Sequence, residues 1–341
     1  MLRTLFCATA AAGLLLGSAG CAKTVDRYVT KRVFPHALAV PDVPKACALG
    51  ASLVHPLAAV PKAGHPPHQT MVVAELTAAL CEEGLAWEEE LAAERARHNF
   101  RALGGERTPE IKDARLRAER AHLAAADRFF RSWQHIEPLY GPVGEGCPKL
   151  RSERDELVYL IGLVAGTLAL LNDRAGGGGV GVPLDTLGKV ARGAECLDNA
   201  KWWHTPGTLR AAAWAIIPGL GPEGVEPFAA LEEEASAGEA SGVRVARALS
   251  VLVYANADQR PMVEQGIRAH AASLSNTVQH PDWALLDEYA RLVTLHESDL
   301  IWTGDEGHRT PVFGALPRGE PEDLVPPPNP FEDANPFGSE E

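Results

Sequence analysis

The chain has 341 residues, 46% of them hydrophobic and only 6% aromatic, with a net charge of −13. Ala and Leu fill the apolar positions, which favours helices over β-sandwiches built on Val, Ile, Thr and aromatics. The negative charge excludes nucleic acid as the expected partner, because phosphate binding needs clustered Lys and Arg.

Taken in chain order, Met1-Leu2-Arg3 is a short cationic start, residues 5–16 are apolar and Gly17-Ser18-Ala19-Gly20 are small. The apolar run is too short to span a bilayer, so residues 1–20 are expected to be a signal peptide. Cys21 follows directly and resembles the lipidated Cys of a bacterial lipobox, although Ser18 stands where that pattern usually has Leu. The resemblance implies a lipid anchor in a bacterial cell envelope, with the outer membrane facing the periplasm as the expected site. Residues 21–68 contain Pro35, Pro41, Pro44, Pro56, Pro61, Pro66 and Pro67. That density argues against a long helix and predicts a tether followed by irregular structure.

A helical domain is expected over residues 69–304. Within it, residues 69–103 place Val72, Leu76, Leu80, Leu85 and Leu91 on one stripe, with Glu and Arg on the other face. A second helix is expected over 109–135, with Ile111, Leu116, Leu123, Ala126 and Phe130 inward, its first half only partly buried because Glu119 and Arg120 interrupt the stripe. Ser152-Glu153-Arg154-Asp155 fits a capping box, and the uncharged run at 157–171 reads as a helix buried on most sides. Gly162 and Gly166 give that helix a face where a neighbour can approach closely. Shorter helices are expected at 184–200, 205–217, 227–237, 243–257, 261–272 and 283–302. No run of strand-like alternation is present. The fold class read from this is all-α, either a degenerate tetratricopeptide-like helical-hairpin stack or an irregular helical bundle. Residues 305–341 are acidic and Pro-rich, with nine acids against Arg309 and Arg318, and read as a disordered tail.

With Cys7 in the signal peptide and Cys21 lipidated, Cys47, Cys81, Cys147 and Cys196 remain. An even number in an exported chain reads as two disulfides, with three connectivities open. Catalytic motifs are absent, so no enzyme activity, cofactor or metal is expected; a structural envelope lipoprotein acting as a spacer or scaffold, and an enzyme with dispersed catalytic residues, are the alternative readings. Gly176, Gly178 and Gly181 satisfy G-x-G-x-x-G but follow a helix where a dinucleotide site needs a strand, so a flexible loop is expected. His65 and His68 read as exposed surface histidines. The acid runs 82–83, 88–90 and 232–234 read as solvated helix faces. Trp202, Trp203 and His204 are the leading candidates for ligand or partner contact, with Tyr159 and Tyr254 behind them. Adjacent helical residues diverge by about 100°, so either one Trp packs while the other lines a cavity or a partner surface, or both are wedged between helices, the reading slightly favoured.

Residues 114–130, 157–173, 187–198 with the following Trp pair, and 246–302 resemble, in order, the helices of T-components of tripartite (TRAP) transporters. That resemblance implies a non-enzymatic periplasmic lipoprotein. Such a protein contacts a solute-binding protein or holds an apolar small ligand in a helical cavity.

Overall fold

Apolar residues recur at three- and four-residue spacing through most of the chain, and the computed structural model turns these runs into helices. It describes residues 24, 26–59, 66–103 and 108–317; the expected signal peptide, Cys21, His65 and residues 318–341 lie outside them. The order is a π-helical turn (Val29–Val33), α1 (Phe34–Leu38), α2 (Val43–Ala59), α3 (His68–Leu103), α4 (Thr108–Gln134), α5 (Glu137–Tyr140) and α6 (Glu153–Ala175). There follow α7 (Asp185–Ala194), α8 (Thr205–Ile216), α9 (Pro227–Ala240), α10 (Val245–Asn256), α11 (Arg260–Asn276), a 3-10 turn (Pro281–Trp283) and α12 (Ala284–Glu306). No strand occurs among the described residues, so the chain is all-α.

Consecutive helices pack on one another as a stack, most extensively α3 on α4. α6 sits inside the stack against α3, α4 and α7, and α12 returns to close it over α3 and α10. By length and composition α6 could cross a membrane, but most of it is buried in the protein. Ser152 caps it as expected: its Oγ accepts from Asp155 N at 3.3 Å and donates to Asp155 Oδ2 at 2.9 Å. Gly162 and Gly166 explain the tight fit against the end of α4. A Cβ at Gly162 would collide with Ile136, and one at Gly166 would lie 2.6 Å from Trp133 Cε3.

Two expectations need correction. Residues 26–59 are largely helical, not an irregular tether, and Val29, Phe34, Leu38, Val43, Ala46 and Leu57 join the main core. Pro35 and Pro44 sit where helices tolerate them, Pro35 in the first turn of α1 and Pro44 as the second residue of α2, whereas Pro56 lies inside α2 near its end and cannot donate to Ser52 O. The beginning of the acidic tail is also folded back. Phe313 and Leu316 pack on the α8–α11 cluster, Trp302 Nε1 donates to Ala315 O at 2.9 Å, and Thr310 N donates to Asp299 Oδ1 at 2.9 Å. Two residues expected to face inward, Leu85 and Leu116, are exposed. Leu85 lies five residues beyond Leu80, off the stripe that Val72, Leu76 and Leu80 form.

Cys47 stands opposite Cys81 at a Cα separation of 5.6 Å, and Cys147 opposite Cys196 at 5.2 Å. Both pairs are at disulfide distance. The first ties α2 to α3, and the second ties the segment before α6 to the end of α7.

Candidate functional site

Between α3, α6, α10 and α12 the packing leaves a cavity of about 50 Å³ with a wholly apolar lining. Leu160, Val164, Leu249, Leu252 and Val293 line it together with Trp203 and Tyr289. Leu157 and Ile161 line both this cavity and an open groove of about 540 Å³ under the N-terminal strap (residues 26–59), a shared partition beside which Trp283 lines the groove. A cavity of that size without polar partners stays dry. An apolar ligand of more than a few carbons therefore fits only across the partition, reaching from groove to cavity.

Trp203 reaches the cavity through an unusual backbone. Residues 202–204 form a turn before α8, and Trp203 and His204 have φ of 51° and 59°. This overturns the premise that the adjacent tryptophans must diverge as on a helix. Both are buried, at 1% and 5% exposure, and their rings meet edge to face at 5.4 Å. Trp283, which carried no signal in the sequence, completes the cluster 5.0 Å from Trp203. Trp202 Nε1 donates to Glu156 Oε2 at 2.9 Å, and Lys201 binds the same oxygen at 2.7 Å. His204 Nδ1 lies 2.7 Å from Glu234 Oε2. Asn199 joins them, donating to Glu234 and accepting from Gly207 N at 2.7 Å, which satisfies an orphan amide in the first turn of α8.

The other candidates lie elsewhere. Tyr159 is buried edge to face on Tyr140 at 5.6 Å, with its hydroxyl unpartnered and burial pushing its pKa up to about 12. Tyr254 is buried in the α8–α11 cluster, where its hydroxyl reaches Phe228 O at 3.4 Å. Trp203 lines the cavity; Trp202, His204, Tyr159 and Tyr254 do not.

Behind Tyr289 lies a polar network assembled from α3, α4, α6 and α12. Tyr289 donates to Glu83 Oε2 at 2.6 Å, and Asn172 Nδ2 donates to Glu83 Oε1 at 2.9 Å. Because that amide nitrogen faces Glu83 and Leu168 O, Asn172 Oδ1 must be the atom facing His122 Nδ1 at 2.8 Å. His122 Nε2 faces Glu90 Oε1 at 3.0 Å, so each imidazole nitrogen faces an oxygen. Burial alone would lower the His122 pKa, but Glu90 and Asn172 outweigh it and the net shift is upward. His296 Nε2 reaches the other Glu90 oxygen at 2.8 Å, with its ring stacked on Trp87 at 5.0 Å. Burial raises Glu90, yet the two imidazoles together hold its carboxyl well below the usual range. At Glu83 burial wins over its hydrogen bonds and the pKa rises.

The acid runs are therefore not simply solvated faces. Glu83 is buried, Glu90 holds two histidines, Glu232 pairs with the buried Arg247 at 2.6 Å and Glu234 holds His204. His68 is half-buried with Nδ1 3.0 Å from that of His135 rather than freely exposed. In the glycine loop after α6, Val180 N and Val182 N both donate to the Asp173 carboxylate at 2.8 Å. The amides that would cradle a phosphate are taken by the chain's own acid. Among the described residues no group of three or more His, Cys, Asp or Glu is arranged to hold a metal ion.

Comparison with protein-family models, with curated proteins and with solved structures finds no match to this chain.

Proposed function

We propose that the chain is a non-enzymatic, lipid-anchored envelope protein whose helical stack holds an apolar small ligand. The observation that carries this reading is the apolar cavity lined by Trp203, which shares Leu157 and Ile161 with an open groove. Ligand sites are mostly apolar concavities of roughly 300–1,000 Å³, often between helices of a bundle. Groove and cavity together fall in that range. Both oxygens of Glu83 and both of Glu90 are taken by hydrogen bonds within the protein, which favours binding over catalysis. The alternative, capture of a transporter's solute-binding protein, rests on the resemblance to T-components, and the tryptophans it would use are buried.

The test is Leu157→Trp, at a half-buried position common to groove and cavity. Labelling of the full chain by a diazirine-bearing hexadecane, mapped by peptide mass spectrometry, is expected on the cavity-lining turns of α6, α10 and α12. Leu157→Trp should reduce it by about tenfold, equivalent to one lost contact of ~1.4 kcal/mol, with thermal unfolding unchanged. Equal labelling of both proteins sinks the reading.

A further inference from the structure

The groove carries a charge imbalance that a purely apolar ligand does not use. Its floor is apolar, with Phe34, Leu38, Val73 and Val158 beside the two partition residues. Its rim carries Lys31, Arg32 and Arg154 against Glu153 and Asp282, and Arg27 stands one helical turn before Lys31. None of these four cations is ion-paired among the described residues. Arg154 Nε is buried without any hydrogen-bond partner. Repulsion from Arg27, with smaller contributions from desolvation, Arg154 and Arg32, holds Lys31 below the usual lysine range. Lys31 and Arg32 are also presented by the π-helical turn, a rare conformation that recurs at functional sites. Cations outnumber acids on this rim, and the apolar floor next to them fits a hydrocarbon.

We propose that the groove binds a free fatty acid, its carboxylate on Lys31, Arg32 and Arg154 and its chain over Leu38, Leu157 and Ile161 toward the cavity. The inference rests on the reading that the helical stack takes an apolar ligand, and it adds the head group. A single acyl chain suits a groove of about 540 Å³. Glu153 and Asp282 on the same rim favour a monoanion over a phosphate-bearing head by repulsion. Arg and Lys reaching a carboxylate supply charge-assisted hydrogen bonds, about twice as strong as neutral ones.

The experiment uses the full chain in phosphatidylcholine nanodiscs with two probes, a diazirine-bearing palmitic acid and the head-free hexadecane probe. Palmitate is expected to label peptides of α1 and the first half of α6. The combined Lys31→Glu, Arg32→Glu and Arg154→Glu variant should cut that labelling by about a hundredfold, and Arg154→Met alone by about tenfold. Hexadecane labelling should be unaffected by either variant. Palmitate labelling that survives charge reversal overturns the proposal, as does its loss when phosphatidylglycerol is included in the nanodisc, which would put membrane headgroups on the cations. Hexadecane in the cavity with no palmitate in the groove overturns this inference but leaves the apolar-ligand reading standing. Failure of both probes removes both.

Discussion

Trp203 and His204 place two non-glycine residues in succession in the left-handed region, with φ of 51° and 59°. Each costs about 1–2 kcal/mol for an L-residue, because Cβ crowds the following carbonyl. The surrounding contacts hold the geometry: the Trp203 ring is wedged between Trp202 and Trp283, and His204 is fixed on Glu234. Such strain persists where the neighbourhood over-determines it, and it clusters at binding sites. Here it turns one indole toward the cavity. Truncating that indole should cost about 3–5 kcal/mol, but the backbone reverses the usual ranking of small replacements. Trp203→Gly should be about 1 kcal/mol more stable than Trp203→Ala, since glycine alone relieves the strain. Denaturant unfolding of the two variants gives the answer. Alanine equal to or better than glycine would show that the backbone at 203 relaxes once the ring is gone. The Trp pair was visible in the sequence as a candidate. Burial of both rings was one of the two readings the sequence left open, and the divergence counted against it only by assuming helical backbone at residues that form a turn.

At the scale of elements, the N-terminal strap shows what composition conceals. Proline density over residues 21–68 argued against helix, yet Pro35 and Pro44 occupy first turns, where the missing N–H is an orphan in any case. Position along the helix, not the number of prolines, decides. The rest of the helical pattern was legible because it follows local periodicity: the Ser152 cap and the close approach at Gly162 and Gly166 appear as the sequence indicates. What holds the strap down is Cys47 opposite Cys81, 34 residues apart. Closing a loop of that length stabilises by about 3–4 kcal/mol in the chain-entropy account. The double variant Cys47→Ala, Cys81→Ala should therefore loosen α2 first, with amide exchange there accelerating by about a hundredfold while the centre of α3 changes little. If α2 and α3 lose protection equally, the strap is not a separable unit and the Cys pair supports the whole stack. The outcome also bears on the fatty-acid groove, whose floor is built partly from α1 just before this strap helix.

The whole molecule is knit together by contacts that no local pattern announces. Glu83, Glu90, His122, Asn172, Tyr289 and His296 come from four helices, with Tyr289 reaching Glu83 from 206 residues away. Within α3, Glu83 and Glu90 look like members of two ordinary acid runs. Only the closure of α12 over α3 shows them to be the centre of a network, which is why solvated faces were the natural reading. Burial raises the Glu83 pKa, and the hydrogen bonds from Tyr289 and Asn172 restrain the rise. A carboxyl whose folded pKa lies above its unfolded value favours the fold when protonated. It costs stability as pH climbs through the ordinary Glu value toward the folded one. Tyr289→Phe removes a donor without emptying the cavity wall, so the folded pKa of Glu83 rises further and the cost persists to higher pH. The deficit of Tyr289→Phe relative to the parent should be smallest near about pH 4 and grow to about 1–3 kcal/mol near pH 8, measured by denaturant unfolding at both values. A deficit independent of pH would mean that Glu83 stays protonated throughout and that Tyr289 contributes packing alone. A deficit that grows toward acid would reverse the sign and remove Glu83 as its cause. Because Tyr289 also lines the cavity, the same variant tells whether the polar network sets the shape of that wall. Hexadecane labelling in Tyr289→Phe should match the parent if the ring alone matters, and should spread along α12 if the Glu83 hydrogen bond is what holds the ring in place.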